Sequence, residues 1–141
     1  MSAEHPNPRH PTPVSVDEAW ASLAFLPDRT PTTTSAGWAA VATPYRDGGM
    51  FLAHYAGSSA WERHPVGDEI VMVTEGATTM TMFIDGAEVP YEMGAGQLIV
   101  VPQNTWHRFD SPDGVKVATI TPQPTEHFRE PGLPPEGPVQ R

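Results

Sequence analysis

The chain has 141 residues, and its 17 acidic residues against 8 basic ones give a formal net charge of −9 at pH 7. Binding to nucleic acid or to an anionic membrane surface needs clustered basic residues, but Lys116 is the single lysine and the arginines are dispersed. The absence of cysteine excludes disulfides, thiolate metal ligands and cysteine nucleophiles. No segment has the apolar length of a membrane span or the apolar core of a secretion signal. We therefore expect a cytoplasmic protein without nucleic-acid or membrane partners.

Proline is concentrated at both ends of the sequence, which predicts one folded domain between two tails. Residues 1–14 and 124–141 are rich in proline and poor in apolar residues, so they cannot bury enough surface to offset the entropy lost on ordering. We expect both segments to be extended or disordered. Residues 15–123 are predicted to form a single domain, whose length is close to the most common domain size.

One short helix is predicted after the N-terminal tail. Ser15 and Glu18 have the spacing of a capping box, in which each side chain accepts a hydrogen bond from the backbone N–H of the other residue. Apolar residues at helical spacing follow through Leu23, and the helix should end before Pro27. The alternative is a loop that carries the motif by chance.

Short β-branched and aromatic runs separated by turn signals follow from Gly37 onwards, which predicts a series of strands without helices between them. Asp85-Gly86 between two alternating runs is a strong signal for a two-residue hairpin turn. The pattern is typical of an all-β fold, either an antiparallel sandwich, a jelly roll or a small barrel. The predicted strands are Trp38–Ala42, Met50–Tyr55, Glu69–Thr74, Thr78–Ile84, Glu88–Met93, Gln97–Val101, Trp106–Phe109 and Val115–Thr121.

Four residues with metal-binding side chains are the main functional signal. Glu62 and His64 are two positions apart, so in a strand their side chains leave on the same face. Glu69 follows a turn and would lie beside this pair in a hairpin, whereas His107 must be brought in by the fold. Imidazole nitrogens with carboxylate oxygens suit a divalent cation such as Fe²⁺, Mn²⁺, Ni²⁺ or Zn²⁺. For each residue alone, a hydrogen-bonded histidine or a solvated carboxylate is the simpler interpretation.

The same residues resemble the two sequence blocks of a small single-domain cupin. The first cupin block has two histidines one residue apart, then a glutamate and, after six residues, a glycine. This sequence has Glu62, His64, Glu69 and Gly76 at those positions. The second block, which ends in a histidine, is matched by the set Gly96, Pro102, Asn104 and His107. The resemblance covers residues 50–121 and implies an antiparallel double-stranded β-barrel, commonly a homodimer, with one divalent metal ion.

Three positions depart from the cupin pattern, and one of them affects the chemistry. Asn104 replaces a glycine, which asparagine can do where the backbone is left-handed. Ser111 replaces an asparagine that many members have. Glu62 replaces the first histidine ligand, and this substitution leaves the ligand set open.

If Glu62 binds the metal, two histidines and two carboxylates favour harder ions such as Mn²⁺ or Fe²⁺. If Glu62 turns away, or pairs with Arg63 or Arg108, the other three residues resemble the two-histidine, one-carboxylate triad of non-haem iron sites. A site that holds no metal is the third possibility.

Several large side chains are candidates for a substrate pocket around the metal, although packing in the core explains them equally well. Val71, Met82 and Phe109 are the pocket candidates, and Phe109 shares a strand face with His107. Weaker candidates for an acid, a base or a substrate contact are His54, Tyr55 and Tyr91. No specific role is expected for the histidines in or near the tails, which are His5, His10 and His127.

We expect a metal-dependent enzyme that acts on a small organic molecule inside the barrel, and we favour a dioxygenase-type reaction because of the possible iron triad. The resemblance also includes isomerases, decarboxylases and lyases, and the fold does not choose among them. Two alternatives stay open: a non-catalytic cupin that binds a small ligand, and a metal-free isomerase or epimerase. Homodimerisation is expected from the resemblance and from strands that are apolar on both faces, such as Leu98–Val101.

Overall fold

The computed structural model describes residues 11–34 and 36–135 as one short helix and nine strands. This confirms the all-β prediction with a short N-terminal helix. His5 and His10 lie outside the described residues, as does most of the predicted N-terminal tail. The elements are α1 (Val16–Ala21), β1 (Leu26–Arg29), β2 (Ala39–Tyr45), β3 (Gly48–Ser58), β4 (Trp61–Arg63), β5 (Glu69–Ile84), β6 (Ala87–Gly94), β7 (Leu98–Val101), β8 (His107–Pro122) and β9 (Glu126–Phe128).

The helix begins where the capping motif predicts. The Ser15 side chain accepts a hydrogen bond of 3.1 Å from the backbone N–H of Glu18, which satisfies one of the free N–H groups in the first turn. The helix ends at Ala21, well before Pro27.

Strand β8 connects the two halves of the sheet. Along its length it pairs antiparallel with β3, with β5 and, at His107, with β4. Strand β5 also pairs with β6 and β7, while β3 also pairs with β2 and, in parallel orientation, with β1. The described strands therefore form one continuous sheet, and all of their pairings except β1 with β3 are antiparallel.

Two gaps between predicted strands, at residues 75–77 and 110–114, are bulges within long strands instead. Strand β5 runs through Gly76 and β8 through Gly114, with shifts of register on either side of Gly76. Gly76 has φ +78°, and a Cβ there would lie 2.3 Å from the Gly114 carbonyl oxygen. Glycine thus permits a close approach between paired strands, and such bulges leave the strands continuous. By contrast, Asp85 and Gly86 do form a two-residue turn between β5 and β6, with φ values of 52° and 78°.

Alternate residues of β5 separate the inside from the outside at its start. Glu69, Val71 and Val73 are buried, whereas Ile70 is 39% exposed. The buried residues join a core of large apolar side chains, namely Trp38, Tyr55, Met80, Met82, Met93, Val101, Phe109, Val115 and Val117. Helix α1, the helix of the described residues, lacks the length and the apolar character needed to span a bilayer.

Part of the predicted C-terminal tail is an extended strand that packs on the domain. Residues 126–128 form β9, which pairs with β4, and the Trp106 indole N–H donates to the Pro135 carbonyl at 3.1 Å. Pairing with β4 supplies backbone partners that composition alone does not reveal. Residues 136–141 lie outside the described residues.

Candidate metal centre

The four candidate ligands come from β4, from the turn that follows it and from the first residues of β5 and β8. Glu62 lies in β4 directly opposite His107, the first residue of β8. His64 follows β4 by one residue, and Glu69 is the first residue of β5. A single turn between β4 and β5 therefore brings three of the residues together, and the pairing of β4 with β8 adds His107.

Loop contacts fix this arrangement. The backbone N–H of Asn104 donates to the His64 carbonyl at 2.9 Å, and the Gln103 side-chain amide donates to the Pro65 carbonyl at 2.6 Å. Asn104 has φ +62°, as expected for a residue that replaces glycine in a left-handed turn. These contacts hold the loop before His107 against the turn that carries His64.

The donor atoms are close enough to share one ion. Glu62, His64 and His107 each offer a ligand atom, and these atoms all lie within 4.8 Å of one another. Glu69 Oε1 lies 3.2 Å from His64 Nε2 and 3.0 Å from His107 Nε2. An ion bound at about 2.0–2.2 Å from such donors separates them by comparable distances.

Three of these atoms are buried without a hydrogen-bond partner: His64 Nε2, His107 Nε2 and Glu69 Oε1. Each imidazole Nε2 lies at ion-pair distance from Glu69 Oε1, but neither contact meets hydrogen-bond geometry. Buried polar atoms are nearly always paired, so three that converge on one point need an explanation. A divalent cation satisfies all three, and the residues therefore fit a metal ion.

The opposite ring nitrogens set the tautomer that metal binding requires. His107 Nδ1 lies 2.9 Å from the Thr105 carbonyl, which can only accept, so Nδ1 carries the proton. His64 Nδ1 lies 3.0 Å from Thr125 Oγ1, whose own hydroxyl donates to Gln123 Oε1 at 3.3 Å. Because these contacts place a proton on Nδ1, each Nε2 is directed to the candidate metal position, as outer partners of metal-binding histidines commonly arrange.

Glu69 is held as a carboxylate at this point. Its second oxygen accepts a hydrogen bond of 2.6 Å from the Thr121 hydroxyl. Burial raises the pKa of the Glu69 carboxyl, but contacts with the His107 and His64 imidazoles outweigh burial and bring it to about 2. Burial lowers the pKa of His107, yet the contact with Glu69 outweighs this and the pKa is raised. Without a metal, the Glu69 carboxylate thus stabilises a proton on His107. A bound cation would take the place of that proton.

Glu62 faces the histidines rather than an arginine. Arg63 pairs with Glu126 at 2.7 Å, and Arg108 pairs with Glu88 and Asp110. Neither arginine therefore draws the Glu62 carboxylate away. The structure groups Glu62 with the two histidines, so Glu62 is a candidate ligand although this sequence departs from the pattern there.

A cavity of about 340 Å³ adjoins the two carboxylates of the candidate centre. Glu62, Glu69 and Phe109 line it, together with Arg29, Trp38, Tyr55, Thr125 and His127. Its volume lies at the lower end of the range for small-molecule sites, about 300–1,000 Å³. His127, which was expected to have no role, reaches the cavity because β9 places it opposite Glu62.

The remaining candidates are distributed between cavity, core and surface. Val71 and Met82 are buried in the core and do not line the cavity, whereas Phe109 does. Tyr55 lines the cavity, and Tyr91 packs against the core. His54 lies on the opposite face of β3 from Tyr55, with its ring centroid 4.9 Å from that of Phe25.

Sequence signals for the missed cavity residues were weak. Arg29 and Trp38 precede the two blocks that carry the resemblance, and Thr125 and His127 follow them. Arg29 lies in β1, which pairs with β3 more than 20 residues further along the chain. No local sequence pattern indicates such a pairing.

Comparisons with known proteins agree with the fold. A protein with a cupin-2 domain from Shewanella frigidimarina has a TM-score of 0.54 and 22% identity, over 64% of this chain and 85% of that protein. A conserved protein of unknown function from Streptococcus pyogenes has a TM-score of 0.55 and 16% identity, over 88% of this chain and 96% of that protein. A variant of oxalate decarboxylase from Bacillus subtilis has a TM-score of 0.50 and 17% identity, over 56% of this chain but 23% of that protein.

These similarities show the fold alone, and no curated protein matches the chain by sequence. The family model for the cupin domain matches residues 50–121, which is just over half of the chain. The protein therefore belongs to the cupin family.

Proposed function

We propose that the protein binds one divalent metal ion through Glu62, His64, Glu69 and His107 and acts on a small organic molecule in the adjoining cavity. The observation that carries the proposal is the convergence of three buried donor atoms without hydrogen-bond partners, beside a cavity large enough for a ligand. Two imidazoles and two carboxylates favour Fe²⁺ or Mn²⁺, although Ni²⁺ and Zn²⁺ also bind such donors.

A divalent ion at this place would act as a Lewis acid, and iron would add redox chemistry with dioxygen. The protein itself supplies the orientation of the donors. Thr105 and Thr125 fix the two imidazoles, and Thr121 holds the second oxygen of Glu69. Phe109, Trp38 and Tyr55 give the cavity an aromatic wall that reduces contact with water. Our favoured reaction is of the dioxygenase type.

A metal-free isomerase or epimerase is the second candidate, and one observation favours it. Tyr55 lines the same cavity as Glu69, and burial raises the pKa of its hydroxyl to about 12. The hydroxyl therefore stays protonated at neutral pH and can donate a hydrogen bond to an oxygen of a bound substrate. In that case the imidazoles would act as bases instead of ligands.

The first test is metal content followed by oxygen uptake. Protein dialysed after incubation with Fe²⁺, Mn²⁺, Ni²⁺ or Zn²⁺ should retain one equivalent of metal by elemental analysis. Iron-loaded protein should then consume oxygen during a screen of small organic molecules. Metal retention with turnover but without oxygen uptake would replace the dioxygenase by an isomerase or lyase. Protein that retains none of the four metals would refute the metal proposal.

We further propose that the protein is a homodimer that covers an apolar patch on the outside of β5 and β7. This patch consists of Ile70, Leu98 and Val100, which are 39%, 59% and 49% exposed and lie on paired strands. The sequence predicted that this segment would be covered on both faces, yet within one chain the outer face is open. Strand β7 pairs with β5 alone among the described strands, so a second copy can approach its free edge.

Leu98→Lys should convert the dimer to a monomer, because a charge in an apolar interface remains without a partner. Sedimentation velocity measures the change directly. Leu133→Lys is the matched control, since Leu133 is an exposed leucine as well, at 49% against 59% for Leu98, but does not belong to the patch. A wild-type protein that sediments as a monomer at high concentration would contradict the dimer.

A further inference from the structure

Arg29 occupies a fixed position at the wall of the cavity, although it lies outside the segment that defines the family. Strand β1 pairs in parallel with β3 and places Arg29 opposite Gly57. Gly57 has φ +112°, and a Cβ there would lie 2.3 Å from the Arg29 carbonyl oxygen. The backbones thus approach more closely than any other residue at position 57 would allow, and this approach sets the position of the arginine.

The guanidinium of Arg29 lies against two aromatic rings and has no acidic partner among the described residues. Its central carbon is 4.6 Å from the centroid of Trp38 and 4.5 Å from that of Tyr55. Among the described residues, Arg63, Arg108 and Lys116 all form ion pairs with carboxylates, but Arg29 forms none. Stacking holds the planar group in place and leaves its N–H groups available.

Two buried donors at this wall have no acceptor. Arg29 Nε is buried without a hydrogen-bond partner, and the buried Tyr55 hydroxyl lies beside Ser111 and Arg29 but meets hydrogen-bond geometry with neither. The Tyr55 pKa of about 12 keeps that hydroxyl a donor, and Arg29 stays charged at any physiological pH. Leaving such groups unpaired is costly, and the cost is recovered if a ligand brings acceptor oxygens.

Charge balance in the cavity favours an anionic group. Glu62, Glu69 and Arg29 line the same cavity. A divalent cation at the proposed site would balance the two carboxylates, and the charge of Arg29 would then have no counterpart. A carboxylate matches the planar fork of an arginine and provides two acceptor oxygens.

We propose that the ligand of this cavity is a small organic acid whose carboxylate is bound by Arg29, with the Tyr55 hydroxyl as a second donor. The rest of the molecule extends along the cavity towards Glu62 and Glu69. The proposal names the substrate class and rests on the proposed small-molecule site. It makes Arg29 and Tyr55 binding residues that determine specificity.

The test compares carboxylates with their neutral amides as probes. The probes are acetate, propionate, benzoate and phenylacetate, and each is compared with its own neutral amide. Each probe is titrated into zinc-loaded protein, since Zn²⁺ is diamagnetic, and its affinity is measured from ¹H–¹⁵N spectra. At least one carboxylate should bind more tightly than its amide and should shift the Nε–H resonance of Arg29. Arg29→Gln should weaken that binding about 10- to 100-fold, and Tyr55→Phe should weaken it about 3- to 10-fold.

The controls separate this proposal from the metal site. Arg108→Gln removes an arginine that also stacks on a tryptophan, 5.2 Å from the Trp61 centroid, but that lies outside the cavity, so probe affinity should not change. Arg29→Lys keeps the charge but loses the planar fork, and it should bind more weakly than wild type. Repeating the titration after chelation shows whether the probe needs the metal.

Two outcomes would overturn the inference: wild-type protein that binds no carboxylate better than its amide, or equal carboxylate affinity in wild type and Arg29→Gln. Neither outcome depends on metal retention, which elemental analysis of the same samples reports separately. Protein that binds no metal yet binds carboxylates through Arg29 would refute the metal proposal and leave this one standing.

Discussion

His107→Ala should reduce the affinity of the protein for a divalent metal by more than about 100-fold. Loss of an outer partner of a metal ligand already costs about 10- to 100-fold, and loss of the ligand itself should cost more. His107 is the most enclosed of the donors, with 0% exposure, so water cannot readily replace its nitrogen. His64→Ala should act in the same direction. Elemental analysis after dialysis and isothermal titration with Zn²⁺ measure the loss.

The histidine experiment needs controls for folding and for position. His107→Gln fills most of the space of the imidazole, so it separates loss of the ligand from a cavity in the core. Circular dichroism and unfolding curves in the presence of a chelator show whether each variant is folded. His54→Ala is the positional control, because His54 lies on the other face of β3 and should not alter metal content. Unchanged metal retention in folded His107→Ala would contradict the proposed centre.

The metal centre also shows why some parts of the protein were predictable from sequence and others were not. Glu62, His64 and Glu69 are brought together by one turn, so their proximity follows from local spacing. His107 was predicted only through resemblance to a family, because its approach depends on the pairing of β4 with β8. The same dependence on pairing explains why Arg29 was missed, since no local pattern reports a parallel contact between β1 and β3.

Glycines in the sequence indicated where the backbone is left-handed, but they did not indicate whether the chain turns or forms a bulge there. Asp85-Gly86 and Glu75-Gly76 look alike as turn signals, and Gly86 and Gly76 both have φ +78°. The first pair reverses the chain, whereas the second produces a bulge. What differs is the neighbour: Gly76 lies against the backbone of Gly114 on β8, and pairing continues past it. A local sequence cannot specify a partner that is almost 40 residues away.

The site combines a rigid apolar frame with polar groups that are incompletely satisfied. Core residues such as Val71, Val73 and Met80 are fully buried and hold β5 against β8. Among the described residues, by contrast, three with an unpaired buried atom line the cavity, namely Arg29, Tyr55 and Glu69, and His64 Nε2 and His107 Nε2 lie against Glu69. Buried groups without partners destabilise a fold, so their concentration here indicates where an ion and a ligand recover the cost. Together, the two proposals would give one cavity two recognition elements, a cation site at Glu69 and an anion site at Arg29.

Glu62→His should increase affinity for Zn²⁺ about 10-fold and lower the preference for Mn²⁺, because a third imidazole favours later and softer metals. Glu62 is partly exposed and lines the cavity, so an imidazole has room there. Glu62→Gln keeps the shape but removes the charge, and it should weaken binding of both metals about 10-fold. Competition titrations with a chromogenic chelator measure all of these affinities. Glu126→Gln is the matched control, since Glu126 lies on the neighbouring β9 and pairs with Arg63 instead. If Glu62→His and Glu62→Gln both bind metals as the wild type does, Glu62 is not a ligand, and the site is reduced to His64, Glu69 and His107.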